Sequence, residues 1–137
     1  KEMNFEDLQS EKVFKPMQVY GQSKLANILF TKSLANNLAD HGVTVNCLHP
    51  GFVSTGIGSN NKGIWNILMS LARPFARKTD KGAETSVYLC SSPKVKDVSG
   101  EYFVDCKIEK VSDAAKSSDQ ADKLWKISSE LTGLGLN

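Results

Sequence analysis

The chain has 137 residues, a length typical of one domain, and its 40% hydrophobic and 23% charged residues are ordinary for a globular protein. The net charge is +2, and no basic run or patterned aromatic series indicates a nucleic-acid partner. Three widely spaced cysteines without a C-x-x-C motif argue against a disulfide framework or a metal site, so we expect reduced, mostly buried thiols. No apolar run approaches the ~20 residues of a membrane-spanning helix.

The first half of the chain predicts a loop, a long helix and a strand. Residues 1–16 are polar and lack a clear period, apart from a short helical turn near residues 7–11. From about Gln18 to Ala39 the apolar residues recur with helical spacing, and Gly42 is a typical residue to end such a helix. The β-branched run 43–48 then predicts a buried strand.

The second half predicts three further helices and a second strand. The elements expected are a helix over 64–76, a helix over 79–90 with Ala83, Val87 and Cys90 on one face, a strand over 101–105, and a helix over 119–131 with Leu124, Ile127 and Leu131 buried. This order is typical of α/β proteins with parallel sheets. Two parallel strands are too few to support a domain, so we expect them to join other strands or to borrow an edge from a partner.

A tyrosine and a lysine four residues apart open the first predicted helix, in the run Tyr20-Gly21-Gln22-Ser23-Lys24. Residues at this spacing share a helix face, so the phenol and the ammonium can meet. A cation beside a phenol favours the phenolate and lowers its pKa from about 10. The pair therefore suggests proton transfer with a substrate hydroxyl or carbonyl, although such a spacing also occurs by chance.

The first predicted strand ends at His49-Pro50-Gly51. Open parallel sheets bind ligands outside the carboxyl ends of their strands. A Pro-Gly turn at that end lets the main chain approach a flat ring closely. His49 is more typical of a structural strand-end residue than of a proton carrier, and His41 of a surface residue near a helix C-terminus.

These segments together resemble the short-chain dehydrogenase/reductase family, and most of all its retinol-dehydrogenase branch. The segments that carry the resemblance are Tyr20-x-x-x-Lys24 with 25–30, the strand 43–46, the run 49–55, the run 100–107 and Leu124-Trp125. The resemblance covers about residues 5–134. It implies that residues 1–137 form the C-terminal catalytic half of a single domain, a Rossmann-like, doubly wound α/β sheet whose N-terminal nucleotide-binding half is absent.

The resemblance also implies an activity and a set of site residues. The expected enzyme interconverts an apolar, retinol-like alcohol and its aldehyde or ketone with NADP or NAD, NADP being slightly favoured. Tyr20 would serve as general acid and base, and Lys24 would lower its pKa and bind the nicotinamide ribose. Pro50 and Gly51 would turn the backbone beside the nicotinamide. Val53 and Thr55 would hold its carboxamide, and no metal is implied.

Other parts of the family's site have no counterpart in the sequence. The glycine-rich turn that binds the pyrophosphate is missing, because the glycines of residues 56–63 follow the Pro-Gly motif instead of a first strand. Many relatives carry a serine thirteen residues before the tyrosine, where this chain has Asp7; Ser10 matches no family position. The retinol-dehydrogenase branch has a longer stretch between serine and tyrosine, which residues 5–12 resemble, so the serine would lie upstream of Lys1. We therefore expect little or no turnover from the chain alone.

Several alternatives stay open at this stage. Trp65, Leu68 and Met69 are either core residues or the lining of an apolar substrate pocket or membrane contact. The chain could instead be a non-catalytic interaction module that pairs through its sheet edge or through the Tyr20–Lys24 helix, which the family commonly uses to form homodimers. Membrane attachment would come only from an upstream segment. The compartment is undetermined among reducing intracellular ones, including the endoplasmic reticulum.

Overall fold

The computed structural model describes residues 2–53 and 76–134. In these ranges helices surround a small sheet, as the sequence predicts. The elements are α1 (Pro16–Asn37), β1 (Cys47–His49), α2 (Thr79–Ser91), β2 (Tyr102–Val104), β3 (Lys107–Ile108), α3 (Asp113–Lys116) and α4 (Ser118–Thr132), with 3-10 turns at Phe5–Asp7, Ala39–His41 and Pro93–Val95. The predictions for Thr55 and for the apolar segment with Trp65, Leu68 and Met69 lie outside the described residues.

The long helix α1 confirms the predicted helix. It begins with Pro16 at its first turn, where the missing N–H costs no helical hydrogen bond. After Asn37 the chain makes a 3-10 turn and leaves it through Gly42, whose φ of 67° lies in the left-handed region that glycine enters without steric cost. The helix packs along α4 and also contacts β1.

The sheet is mixed, with three strands in the described residues. β1 runs parallel to β2, and Leu48 lies opposite Phe103. β3 pairs antiparallel with β2, so the described residues contain one strand more than the two that the sequence predicts. The turn between β2 and β3 consists of Asp105 and Cys106, with φ values of 50° and 61°. Two-residue hairpin turns need such positive φ values and usually carry Asn-Gly or Asp-Gly, so the Asp-Cys pair gave no turn signal.

β1 is shorter than the predicted strand over 43–48. Residues before Cys47 are held by hydrogen bonds to a loop instead of a ladder of paired strands. The Asn46 amide donates from Nδ2 to the Val98 carbonyl at 2.7 Å and accepts from the Glu101 N–H at 3.1 Å. The Gly100 N–H donates to the Val45 carbonyl at 2.7 Å.

The hydrophobic core lies between α1, α4 and the N-terminal segment. Leu29 is fully buried, and it clusters with Met3, Ala121 and Leu124. The Met3 N–H donates to Gln120 Oε1 at 2.8 Å, so the segment predicted as a loop is fastened to α4. The burial of Met3 could not be predicted from the sequence pattern, because the N-terminal segment has no hydrophobic periodicity.

Some burial predictions are wrong. On α2 the predicted buried face is exposed, with Val87 at 60%, and the buried residues are Gly82 and Thr85. In α4, Leu124 is buried as predicted, whereas Leu131 is 61% exposed. Of the three thiols, Cys90 is exposed, while Cys47 and Cys106 are half-buried. Burial raises the pKa of the Cys47 thiol.

Candidate active site

Tyr20 and Lys24 lie next to each other on the outer face of α1. The Lys24 Nζ atom is 5.3 Å from the centroid of the Tyr20 ring. Tyr20 is 59% exposed, and Lys24 is exposed as well. The spacing of four residues therefore brings the phenol and the ammonium together, as predicted. Both groups can be reached by a small molecule.

The opposite side of the same helical turn fastens α1 to the N-terminal segment. Gln22 Oε1 accepts a hydrogen bond from the Asn4 N–H at 2.7 Å, and its Nε2 donates to the Glu2 carbonyl at 3.0 Å. Leu25, one turn further, packs on the core. These inward contacts fix the rotation of α1 about its axis, and they leave Tyr20 and Lys24 facing outward.

Asp7 organises the loop that leads into α1. Its carboxylate accepts hydrogen bonds from the Lys12 N–H at 3.2 Å and the Val13 N–H at 2.9 Å. The hydrogen bonds from these backbone groups, first that of Lys12, hold the pKa of Asp7 below its ordinary value of 3.8. Ser10, in the same loop, has a φ of 56°. Asp7, thirteen residues before Tyr20 (20 − 7), thus has a structural role here.

The Pro-Gly turn follows the carboxyl end of β1. Pro50 is exposed, and Gly51 has a φ of 81°, in the left-handed region. A Cβ atom on Gly51 would lie 2.8 Å from Arg77 Nε and 2.9 Å from Arg77 Cδ and Cζ. The positive φ therefore favours glycine at position 51, and the absence of a Cβ also leaves room for the Arg77 side chain.

Val53 packs against the first turn of α2. It forms an isolated parallel β-bridge with Arg77, whose N–H donates to the Phe52 carbonyl at 2.7 Å. Its side chain fills the space beside Gly82, where a Cβ would lie 2.6 Å from Val53 Cγ2. The segment 50–53, which we call the Pro-Gly segment, therefore rests on residues that come much later in the chain.

Asp105 completes this support. The Arg77 guanidinium makes two hydrogen bonds to the Asp105 carboxylate, with Nη2 3.0 Å from Oδ2. The hydrogen bond and charge of Arg77 hold the pKa of Asp105 below 3.8, and those of Asp105 raise the pKa of Arg77. The neighbouring Cys106 N–H donates to Thr85 Oγ1 at 3.3 Å, which fastens the hairpin to α2.

The predicted site residues thus form two groups. Tyr20 and Lys24 lie on α1, while Pro50, Gly51 and Val53 lie beyond the end of β1, the strand that α1 contacts. The supporting residues Arg77, Gly82 and Asp105 were not predicted from the sequence. A glycine inside a helical pattern is a signal of close packing that could have indicated Gly82, whereas nothing local marks Arg77.

The described residues fit the nicotinamide end of a dinucleotide. An exposed phenol and ammonium one helical turn apart can bind ribose hydroxyls, and a glycine turn offers main-chain groups to a flat ring.

In residues 2–53 and 76–134 there is no group of three or more His, Cys, Asp or Glu side chains that could hold a metal ion. The helices in these ranges include none that is long and apolar enough to cross a bilayer.

Comparisons with known proteins show which proteins this chain is similar to. The family profile described as enoyl-(acyl carrier protein) reductase matches residues 3–106. The chain is similar to human retinol dehydrogenase 14, with 46% identity over 97% of this chain and 40% of that protein. It is also similar to mouse retinol dehydrogenase 12, with 40% identity over 96% of this chain and 42% of that protein.

A solved structure shows the same fold. An uncharacterised protein from Mycobacterium paratuberculosis superposes with a TM-score of 0.68 at 26% identity, over 96% of this chain and 45% of that one. The chain belongs to the short-chain dehydrogenase/reductase family of oxidoreductases. Its relatives include retinol dehydrogenases, and it spans about 40% of the length of the curated proteins that it matches. The predicted family and Rossmann-like α/β fold are confirmed, whereas the roles of individual residues stay predictions.

Proposed function

We propose that this protein interconverts an apolar, retinol-like alcohol and its carbonyl form with NAD(P), and that Tyr20 and Lys24 carry the proton transfer. The observation that carries the proposal is the position of Lys24 Nζ, 5.3 Å from the centroid of the exposed Tyr20 ring. The two side chains are adjacent and exposed, so a substrate oxygen could reach the Tyr20 hydroxyl.

Each residue has a distinct task in this scheme. In the reducing direction Tyr20 Oη donates its proton to the substrate carbonyl oxygen, and in the oxidising direction it removes the hydroxyl proton. Lys24 would hold the nicotinamide ribose, and Pro50, Gly51, Val53 and Thr55 would position the ring and its carboxamide. The bound cofactor supplies or accepts the hydride. The choice between NAD and NADP rests with residues other than these.

The apolar substrate class is supported by the relatives and by the surroundings of Tyr20. The similar human and mouse proteins are retinol dehydrogenases. Met17 lies three residues before Tyr20, on the same side of α1, and is 71% exposed, while Phe14 just before the helix is 69% exposed. An apolar substrate could bury these side chains as its polar end reaches the phenol.

The test is turnover of retinaldehyde by the full-length gene product with NADPH and with NADH. We expect Tyr20→Phe to lower kcat/KM at least about a hundredfold, as loss of a general acid does, with little change in cofactor affinity. Lys24→Met should lower both activity and cofactor affinity. Tyr88→Phe removes a phenol hydroxyl on α2 and is the matched control. Retained turnover in Tyr20→Phe would remove Tyr20 from the mechanism.

The non-catalytic alternative, an interaction module, can be tested with the same proteins. In the described residues β1 pairs only with β2, and the interaction module would pair through the other edge of β1. Light scattering on the 137-residue chain would show whether it pairs with itself, and we expect no retinaldehyde reduction from this chain alone. A full-length protein that binds neither NADPH nor NADH would favour the interaction module over the enzyme.

A further inference from the structure

Arg77 contacts the Pro-Gly segment with both its backbone and its side chain. Its N–H donates to the Phe52 carbonyl at 2.7 Å, and it forms the β-bridge with Val53. The Cδ–Nε–Cζ part of its side chain lies so close to Gly51 that a Cβ there would be within 2.8–2.9 Å of all three atoms. One residue therefore contacts three successive residues of the segment.

The outer end of the Arg77 side chain is held by Asp105. Two hydrogen bonds join the planar guanidinium to the planar carboxylate, an arrangement that sets orientation as well as distance. Asp105 belongs to the tight turn between β2 and β3, which is itself fastened to Thr85 of α2. The chain of contacts thus runs from the sheet and α2, through Asp105 and Arg77, to Gly51.

We propose that Arg77 is a positioning residue for cofactor binding, which with Asp105 as its anchor holds the main chain of the Pro-Gly segment in the conformation that receives the nicotinamide. The inference rests on the proposed function, which assigns this segment to the nicotinamide. Arg77 acts through Gly51 and Phe52, because its side chain lies against Gly51 and its guanidinium is engaged with Asp105.

The Arg77–Asp105 pair is itself partly exposed, with side chains at 35% and 51%, so the contacts of Arg77 with Gly51, Phe52 and Val53 are what distinguish it from an ordinary surface ion pair. Exposed pairs contribute little to stability, and their removal has no consistent local effect. Lys81 and Glu84 form such a pair on α2, with Nζ and Oε2 2.6 Å apart and both side chains more than half exposed. Lys81→Met removes a positive charge four positions further along the chain, on α2, and is a matched control for Arg77→Met.

The first measurement needs no cofactor. Hydrogen exchange at the amide of residue 77 reports on its bond to the Phe52 carbonyl in the full-length protein. We expect Arg77→Met to speed this exchange about tenfold, because local opening no longer has to break the contacts with Gly51 and Asp105. Lys81→Met should leave it unchanged. Equal exchange in the wild type and Arg77→Met would overturn the proposed support of the segment.

The second measurement is the affinity for NADPH or NADH, followed by the fluorescence of the reduced cofactor. A misplaced binding segment should weaken binding roughly tenfold to a hundredfold in Arg77→Met. Asp105→Asn, which keeps the arginine but neutralises its anchor, should fall between Arg77→Met and the wild type. Arg77→Lys should also be intermediate, since it keeps the charge without the planar fork. The KM for the cofactor should rise more than kcat falls.

The two proposals fail in different ways. A wild-type protein that binds no dinucleotide removes the proposed function and, with it, the cofactor role of Arg77, whatever the exchange data show. A wild type that binds cofactor, together with an Arg77→Met variant that binds it equally well, removes only the positioning role. If Arg77→Met does not fold, Asp105→Asn and Arg77→Lys decide, and unchanged affinity in both overturns the proposal.

Discussion

The Val53 side chain occupies the space that a side chain at Gly82 would need. A Cβ on Gly82 would lie 2.6 Å from Val53 Cγ2 and 3.0 Å from Val53 Cγ1. Val53 follows the Pro-Gly turn, and Gly82 lies in the first turns of α2, so the contact joins two segments 29 positions apart (82 − 53). The Pro-Gly segment can therefore take this position because residue 82 is a glycine and has no side chain.

Gly82→Ala should disturb this contact. In an exposed helix the change would stabilise by about 1 kcal/mol. Here we expect a net loss of roughly 1–3 kcal/mol in the free energy of unfolding, because valine is stiff at χ1 and cannot turn its methyl groups away. Urea unfolding of the full-length protein measures the change.

A second substitution makes this prediction specific. Val53→Ala removes the methyl groups that the new Cβ would meet, so Gly82→Ala should cost less in a Val53→Ala background than in the wild type. The double-mutant cycle gives the coupling between the two positions. Additive effects of the two substitutions would show that the contact does not limit packing at this point.

The Arg77–Asp105 pair predicts a dependence of stability on acid pH. The hydrogen bond from Arg77 holds the pKa of Asp105 below 3.8 in the folded protein. A lowered pKa in the folded state means that the pair stabilises at pH values above 3.8, and that this stabilisation is lost as pH falls through the folded-state pKa.

Asp105→Asn isolates this contribution from those of Asp7 and Asp113, whose pKa values are also lowered. We expect the denaturation midpoints of the wild type and Asp105→Asn to differ at pH 7 and to converge well below pH 3.8. Asp113→Asn removes an exposed partner of Lys116 on α3 and serves as the control. A constant difference between wild type and Asp105→Asn down to the lowest pH would contradict the prediction.

Leu29 is the core residue whose loss should cost most on α1. It is fully buried between α1, α4 and the N-terminal segment. Leu29→Ala should lower the free energy of unfolding by about 2–5 kcal/mol, from lost burial and from the cavity left behind. Leu131→Ala, at a position that is 61% exposed, should change it by no more than about 0.5 kcal/mol. Denaturant unfolding of both variants tests the assignment of the core.

Much of the candidate site could be predicted because its signals are local. The spacing of Tyr20 and Lys24 places them on one helix face, and the order of strand, proline and glycine places Gly51 at a strand end. These relations depend on residues within a few positions of one another. The regular geometry of helices and strands converts such spacings into positions in space.

The errors concern segments whose structure depends on distant contacts. Val87 and Ala83 had the spacing of a buried helix face, yet α2 turns Gly82 and Thr85 inward, because Val53 and the hairpin turn pack there. The strand β3 was missed because a Cys at positive φ is an unusual turn residue. Periodicity shows that a helix has an apolar face, but it does not show what the other elements place against it.

The sequence by itself determined the family and the order of helices and strands. It also determined the Tyr20–Lys24 face and the position of the Pro-Gly turn, since all of these follow from local spacing or from short motifs. Only the tertiary structure decided what supports that turn. Arg77 and Gly82 meet residues 51–53 across 24 to 29 positions of the chain (77 − 53 and 82 − 53), and Asp105 holds Arg77 across 28 positions (105 − 77). Such contacts leave no periodic trace, because they arise when separate helices and strands pack together.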